Sequence, residues 1–175
     1  DKFIEQTKDV WTHLVDIRKS FEPRAEELAK KYALAPYTMF IGSGALWGET
    51  ILFSMCILEE MQWKRTRYIT SADFFHGTLE LVEPGVPVFL FMGEDENRKL
   101  DERVRAFLTR GVTGDTDINV IDTAEFAIPG LDDEFRVIVS PWILTVLVTD
   151  RLARYYETVT KHNLKYRRYY HQFDY

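Results

Sequence analysis

Tyr37 to Gly48 reads YTMFIGSGALWG. Its first five residues form an apolar run of strand length, and the glycines behind it let the backbone turn sharply into a helix that starts at Ala45. A strand that turns straight into a helix is the repeating unit of an α/β fold. The free N–H groups of that helix start would face any anion nearby, which makes Gly42, Ser43 and Gly44 a candidate phosphate cradle. A strand-to-helix turn without a ligand also favours glycine, and the pattern is neither a Walker nor a dinucleotide motif. Both readings stay open.

Downstream, the helix from Ala45 to Gln62 is apolar on most of its circumference, through Leu46, Ile51, Leu52, Met55, Ile57, Leu58 and Met61, and is expected to form a buried layer. Glu49, Phe53, Cys56 and Glu60 follow one helical stripe. Glu59 and Glu60 differ by one helical step of about 100°, so periodicity does not choose between them. Glu49 and Glu59 read most simply as rim or solvated carboxylates, and Cys56 as a small core residue. Arg67 to Thr70 reads as a strand, after which SADFFHG, Ser71 to Gly77, places His76 on a turn flanked by glycine. His76 follows Glu60 by 16 residues. Helix, strand and turn can return such residues to one edge of a sheet, where a carboxylate and an imidazole could remove a proton from carbon and handle one on oxygen. The plainer alternative is a helix-terminal Glu and a loop His in solvent.

Pro87 to Met92, PVFLFM, has the continuous apolar character of a central parallel strand. Leu100, Val104, Phe107 and Leu108 mark an amphipathic helix ending at Gly111, and Asp117 to Ile121, DINVI, supplies another strand. This alternation predicts a doubly wound, mostly parallel sheet. Asp95, Glu96 and Asp101 read as a solvated loop and helix start. Glu125 to Glu134 is irregular, and Pro141 is expected in the first turn of a helix running through Trp142, Leu147 and Leu152 to Tyr156. Upstream, Phe3, Val10, Leu14, Ile17 and Phe21 mark one amphipathic helix; Pro23 opens a second that carries Ala25, Leu28, Ala29 and Tyr32 and ends before Pro36. This arm could pack on its own domain, connect two domains or serve as a dimer surface. The expected organisation is a helical arm, 1–34, an α/β domain, 35–160, and a tail, 161–175.

A chain of 175 residues, 46% of them hydrophobic, can bury one core. Its net charge of −6 argues against a general nucleic-acid binder. No segment approaches the roughly 20 apolar residues of a membrane span, and no signal peptide is visible, so a soluble protein is expected. The single cysteine, Cys56, suits a reducing cytoplasm. His13, His162 and His171 show no metal-ligand spacing, and no metal or cofactor is expected. The chain starts at Asp1 rather than Met, which suggests a processed or cut piece. Its tail mixes Lys161, Lys165, Arg167 and Arg168 with tyrosines; in isolation such a run suggests RNA or a phosphate group, and more often it is a terminus frayed or docked on its own domain.

EMQW at Glu60 to Trp63, SADFFHG at Ser71 to Gly77 and RRY at Arg167 to Tyr169 resemble the second of two sugar isomerase (SIS) domains in fructosamine 6-phosphate deglycases of the fructoselysine and glucoselysine type. More distantly, the segment is similar to the isomerase half of glucosamine-fructose-6-phosphate aminotransferase. The likeness runs from about Tyr37 to the last residue. It implies a three-layer αβα SIS domain and an Amadori-type substrate, split into glucose 6-phosphate and an amino acid, with Glu60 as base and His76 as acid. It further implies a tail that approaches the sugar, with Arg168 and Tyr175 as substrate-binding residues, a site shared across a homodimer, and a phosphate held mainly by a Ser/Thr-rich loop of the other SIS domain. Ile57 and Phe53 replace a lysine and a glutamate of the aminotransferase, which favours the deglycase; Thr78 replaces the proline usual after HG. The alternatives are an isomerase or aminotransferase-type enzyme, or a non-catalytic phosphosugar-binding regulator.

Overall fold

The computed structural model describes residues 1–111, Gly114 and residues 116–174. Three helices, α1 (Lys2–Thr7), α2 (Val10–Ser20) and α3 (Glu22–Tyr32), precede β1 (Tyr37–Gly42). One continuous helix, α4, opens as a tight turn over Gly44–Leu46, is α-helical over Trp47–Ile51, π-helical over Leu52–Glu59, and closes over Glu60–Gln62. Then come β2 (Arg65–Ile69), the short α5 (Ser71–Phe74), β3 (Val88–Met92), α6 (Arg98–Leu108) and β4 (Ile118–Asp122). The last helix, α7, runs over Asp133–Leu144, turns π-helical over Thr145–Leu152 and ends over Ala153–Thr160.

The strands lie in the order β2-β1-β3-β4, all parallel, with Ile41 opposite Ile69 and Leu90. Alternation within the strands sorts side chains into two cores. Phe40, Phe89 and Phe91 face one layer, with Phe53, Leu58, Leu147 and Tyr156 from α4 and α7; Met39, Ile41, Val88, Leu90 and Met92 face the other, with Phe74, Val104 and Leu108 from α5 and α6. Phe40 stacks between Phe89 at 5.2 Å and Phe91 at 6.0 Å, with Phe53 edge-on at 5.5 Å. The result is the expected three-layer αβα arrangement. Helices α2 and α3 belong to the first core: Leu14, Ile17, Ala25, Ala29 and Tyr32 are buried, and Tyr32 meets Phe89 edge-on at 5.8 Å. No helix of the described residues is long and apolar enough to cross a membrane.

Three sequence expectations are corrected. The last helix starts at Asp133, so Pro141 lies inside it. The Val137 carbonyl that a prolyl nitrogen cannot serve accepts instead from Ser140 Oγ at 3.2 Å, which is how the helix carries the proline. Glu49 is buried rather than solvated, accepting hydroxyl donors from Thr145, at 3.0 Å, and Thr149 of α7. Burial pushes its carboxyl up, with the two hydroxyls opposing.

Asp101 is the third correction. It sits on the inner face of α6 and is 1% exposed, accepting from Ser71 Oγ at 2.5 Å and Gly93 N at 3.4 Å. Burial lifts its carboxyl from 3.8 to about 6, against those hydrogen bonds. The folded chain therefore holds this proton more tightly than the unfolded one, and stability falls as pH rises from about 4 to about 6, then levels. Asp101→Asn is expected to flatten that decline, so that denaturant titrations across the interval move the variant relative to the parent by on the order of 3 kcal/mol. Parallel pH profiles for the two proteins would refute this.

Candidate active site

Helix α4 runs antiparallel to the strands and delivers its C-terminus to their N-terminal edge. Trp63 ends it in the left-handed conformation, φ 52°, which costs a non-glycine residue energy that local contacts must offset. Those contacts come from the tail. His162 lies edge-on to the Trp63 ring at 4.3 Å and the Arg168 guanidinium lies over it at 4.4 Å. Gln62 ties the same place, donating to the His162 carbonyl at 2.6 Å and accepting from Thr160 Oγ1 at 2.7 Å. Leu164 N donates to Glu157 Oε1 at 2.9 Å. The basic, aromatic tail is thus docked on its own domain.

Between the tail and this edge opens a cavity of about 680 Å³, walled by Pro36, Glu59, Glu60, Trp63, Lys64 and Arg65 on one side and by Arg167, Arg168, Tyr169 and Tyr170 on the other. Glu60, 35% exposed, accepts from Arg167 Nε through Oε1 at 2.8 Å. Glu59, also in the wall, accepts instead from the Thr66 hydroxyl of β2. The structure therefore separates the two glutamates that periodicity left equivalent. Lys64 donates to the Ala35 carbonyl at 2.6 Å, and burial lowers the proton affinity of its amine. Among the described residues no carboxylate pairs with Arg65 or Arg168. Four cations around two carboxylates give this cavity an excess of positive charge in a chain of net charge −6. Cys56 is half-buried, and burial, then the charges of Glu60 and Glu59, push its thiol up, away from a nucleophile's range.

His76 is at the other end of the molecule. It follows β2 and α5, so it lies beyond the C-terminal edge of the sheet, exposed to solvent. The segment before it is packed: Thr70 caps α5 through Asp73 N at 3.1 Å, Phe74 and Phe75 pack against Phe107, and Arg103 covers Phe75 at 4.1 Å; Gly77, after it, takes φ 138°. The length of β2, on the order of 15 Å, separates His76 from Glu60. The two do not return to one edge of one chain as expected, because α4 runs down the sheet and β2 runs back up it.

The glycine turn also lies at the C-terminal edge, where β1 and β3 adjoin and the chain direction of winding reverses. A Cβ on Gly42 would collide with Thr50 Oγ1, and Gly44 takes φ +54°. Ser43 Oγ accepts from Ser71 N at 2.7 Å. The helix start already holds an anion of the protein itself, since Ala45 N donates to Asp95 Oδ2 at 2.6 Å and Asn97 N to Oδ1 at 2.7 Å. A phosphate there would have to displace that carboxylate. Of the residues singled out from sequence, Glu60 and Arg168 share the cavity; Gly42, Ser43, Gly44 and His76 lie at the opposite edge; Tyr175 lies outside the described residues. Arg167, Trp63 and Lys64 were not singled out for the site. Arg167 and Trp63 belong to the RRY and EMQW runs, and Lys64 directly follows EMQW.

No family model matches the chain. It is 30% identical over 148 residues to the fructosamine deglycase FrlB of Bacillus subtilis strain 168, covering 83% of this chain and 43% of that protein. It is 29% identical over 170 residues to the fructoselysine 6-phosphate deglycase of Escherichia coli K12, covering 95% and 46%. The chain thus spans about half the length of the curated relatives it matches. Among solved structures, a Bacillus subtilis protein described as a phosphosugar isomerase superposes with a TM-score of 0.89 at 27% identity, over 98% of this chain and 51% of that one. The C-terminal domain of glucosamine-fructose-6-phosphate aminotransferase from Francisella tularensis shares the fold, with a TM-score of 0.66 at 13% identity over 93% and 46%.

Proposed function

We propose, from the premise that this chain is a homologue of one half of the fructosamine and fructoselysine 6-phosphate deglycases, that it supplies the proton-transfer half of a deglycase site. The observation that carries this reading is Glu60, its carboxylate held by Arg167 in a cationic cavity beside the stacked Arg168 and Trp63. The substrate would be a hexose 6-phosphate with a ketone at carbon 2 and an amino acid on carbon 1. Glu60 removes the carbon-1 proton to give an enolamine; return of a proton at carbon 2 gives an imine, which water hydrolyses to glucose 6-phosphate and the free amino acid. Arg168, with its donors unspent on the protein, suits the amino-acid carboxylate.

Two geometric facts shape the rest of the proposal. His76 cannot reach Glu60 of its own chain, so an acid role for it requires the His76 of a second copy, and the working unit is a homodimer. The helix N-terminus at the strand switch point holds Asp95, so the phosphate is gripped by a domain beyond this chain. The test is a coupled assay for glucose 6-phosphate release from fructose-lysine and glucose-lysine 6-phosphates, run on this chain and on the intact protein that contains it. Release by the intact protein and none by the chain alone is expected. Tight binding of the adducts by the intact protein with no release would overturn the enzymatic reading in favour of a sensor.

A further inference from the structure

The two arginines of the RRY run are spent differently. Arg167 is fixed by three bonds: Nε to Glu60 Oε1 at 2.8 Å, and NH1 to the carbonyls of Leu164 at 2.8 Å and Tyr166 at 2.9 Å. Its side chain is only 18% exposed. Arg168 lies flat on Trp63 and makes no hydrogen bond to any described residue. Glu60 itself stands in the last turn of α4, where the unpaired carbonyls and the negative end of the helix dipole repel a carboxylate. Left alone, a one-third exposed glutamate there would swing away. The guanidinium of Arg167 reverses that preference, and among the described residues nothing donates to Glu60 Oε2.

We infer that Arg167 is a positioning residue for the reaction proposed above: it clamps Oε1 of Glu60 so that Oε2 is the oxygen presented to the substrate's carbon-bound proton. This rests on Glu60 being the base. The clamp exists only while the tail is docked, since Arg167 is held by the turn that Leu164 and Tyr166 form and that turn is tied to α4 through Gln62 and His162. The base is therefore completed by a residue 107 positions further along the chain. A carboxylate with one oxygen immobilised meets the geometric demand of proton abstraction, whereas a misplacement of 1 Å can cost about 10²-fold in rate.

The experiment uses the intact protein and steady-state turnover of fructose-lysine 6-phosphate. Arg167→Ala is expected to lower kcat about 10²-fold with KM little changed, and ethylguanidinium, the group removed, to restore kcat in a saturable way. Arg168→Ala, which removes a proposed substrate contact, should raise KM by a larger factor than it lowers kcat. Arg167→Lys, which keeps the charge without the fixed planar fork, should fall between alanine and the parent. An Arg167→Ala enzyme with kcat unchanged, or with only KM raised, overturns the assignment. So does a loss of kcat that ethylguanidinium does not restore, which would make Arg167 an anchor of the tail and nothing more. Failure of the base itself is seen separately, as undiminished turnover by Glu60→Gln.

Discussion

Glu60→Gln in the intact protein is expected to lower kcat for sugar release by about 10²–10⁴, the range for removing a general base, while adduct binding is preserved. The amide keeps the shape of the carboxylate and can still accept from Arg167 Nε at Oε1, so the tail stays docked and the cavity keeps its walls. What is lost is the atom able to take a proton from carbon. The neighbouring Glu59→Gln is the matched comparison, since Glu59 is one residue away, borders the same cavity and is engaged with Thr66. A large loss from Glu59→Gln with turnover kept by Glu60→Gln would transfer the base role to Glu59.

Mixing two inactive variants should regain activity. His76→Ala removes an exposed side chain from a turn held by other residues, and the change should cost no more than about 0.5 kcal/mol of stability. With the imidazole supplied across a dimer, Glu60→Gln and His76→Ala each leave every site incomplete. Co-expressed in equal amounts, they form mixed dimers half of the time, and each mixed dimer holds one site with both residues, so about a quarter of parental turnover should return. A mixture as inactive as its components would rule out the shared site. If the dimer forms as proposed, Leu52 and Met55 on α4 and Ile138 on α7, exposed on helices whose other faces are buried, are expected at its contact.

The local pattern carried the architecture. YTMFI, PVFLFM and DINVI became β1, β3 and β4, within one or two residues of their expected ends, because short, largely apolar runs bounded by turn residues and alternating with amphipathic helices suit a parallel sheet covered on both faces. The arm was legible in part, its apolar stripe at three- and four-residue steps becoming the buried face of α2 and α3, but the helix expected from Phe3 to Phe21 is broken at Lys8 and Asp9 into α1 and α2. Boundaries slipped where a neighbour overrode the pattern: β2 begins at Arg65 through pairing with Tyr37, and α7 begins ahead of Pro141 because Ser140 serves the carbonyl the proline cannot.

What the sequence by itself determined is therefore most of the elements and their inward faces; the proposal of Glu60 as base rests on the EMQW resemblance. Tertiary structure alone decided which chemistry-bearing residues meet. Glu49 and Asp101 looked like solvated carboxylates, and became buried ones through hydroxyls 96 and 30 positions away in the chain. Glu60 and His76 looked like partners, and the opposite directions of α4 and β2 set them at opposite edges. Arg167 met Glu60 only because the tail folds back over the end of α4. Periodicity records which side of an element is apolar, a property of residues three or four apart; the direction an element runs and the group it finally faces are set by contacts between distant segments, and no short-range pattern encodes them.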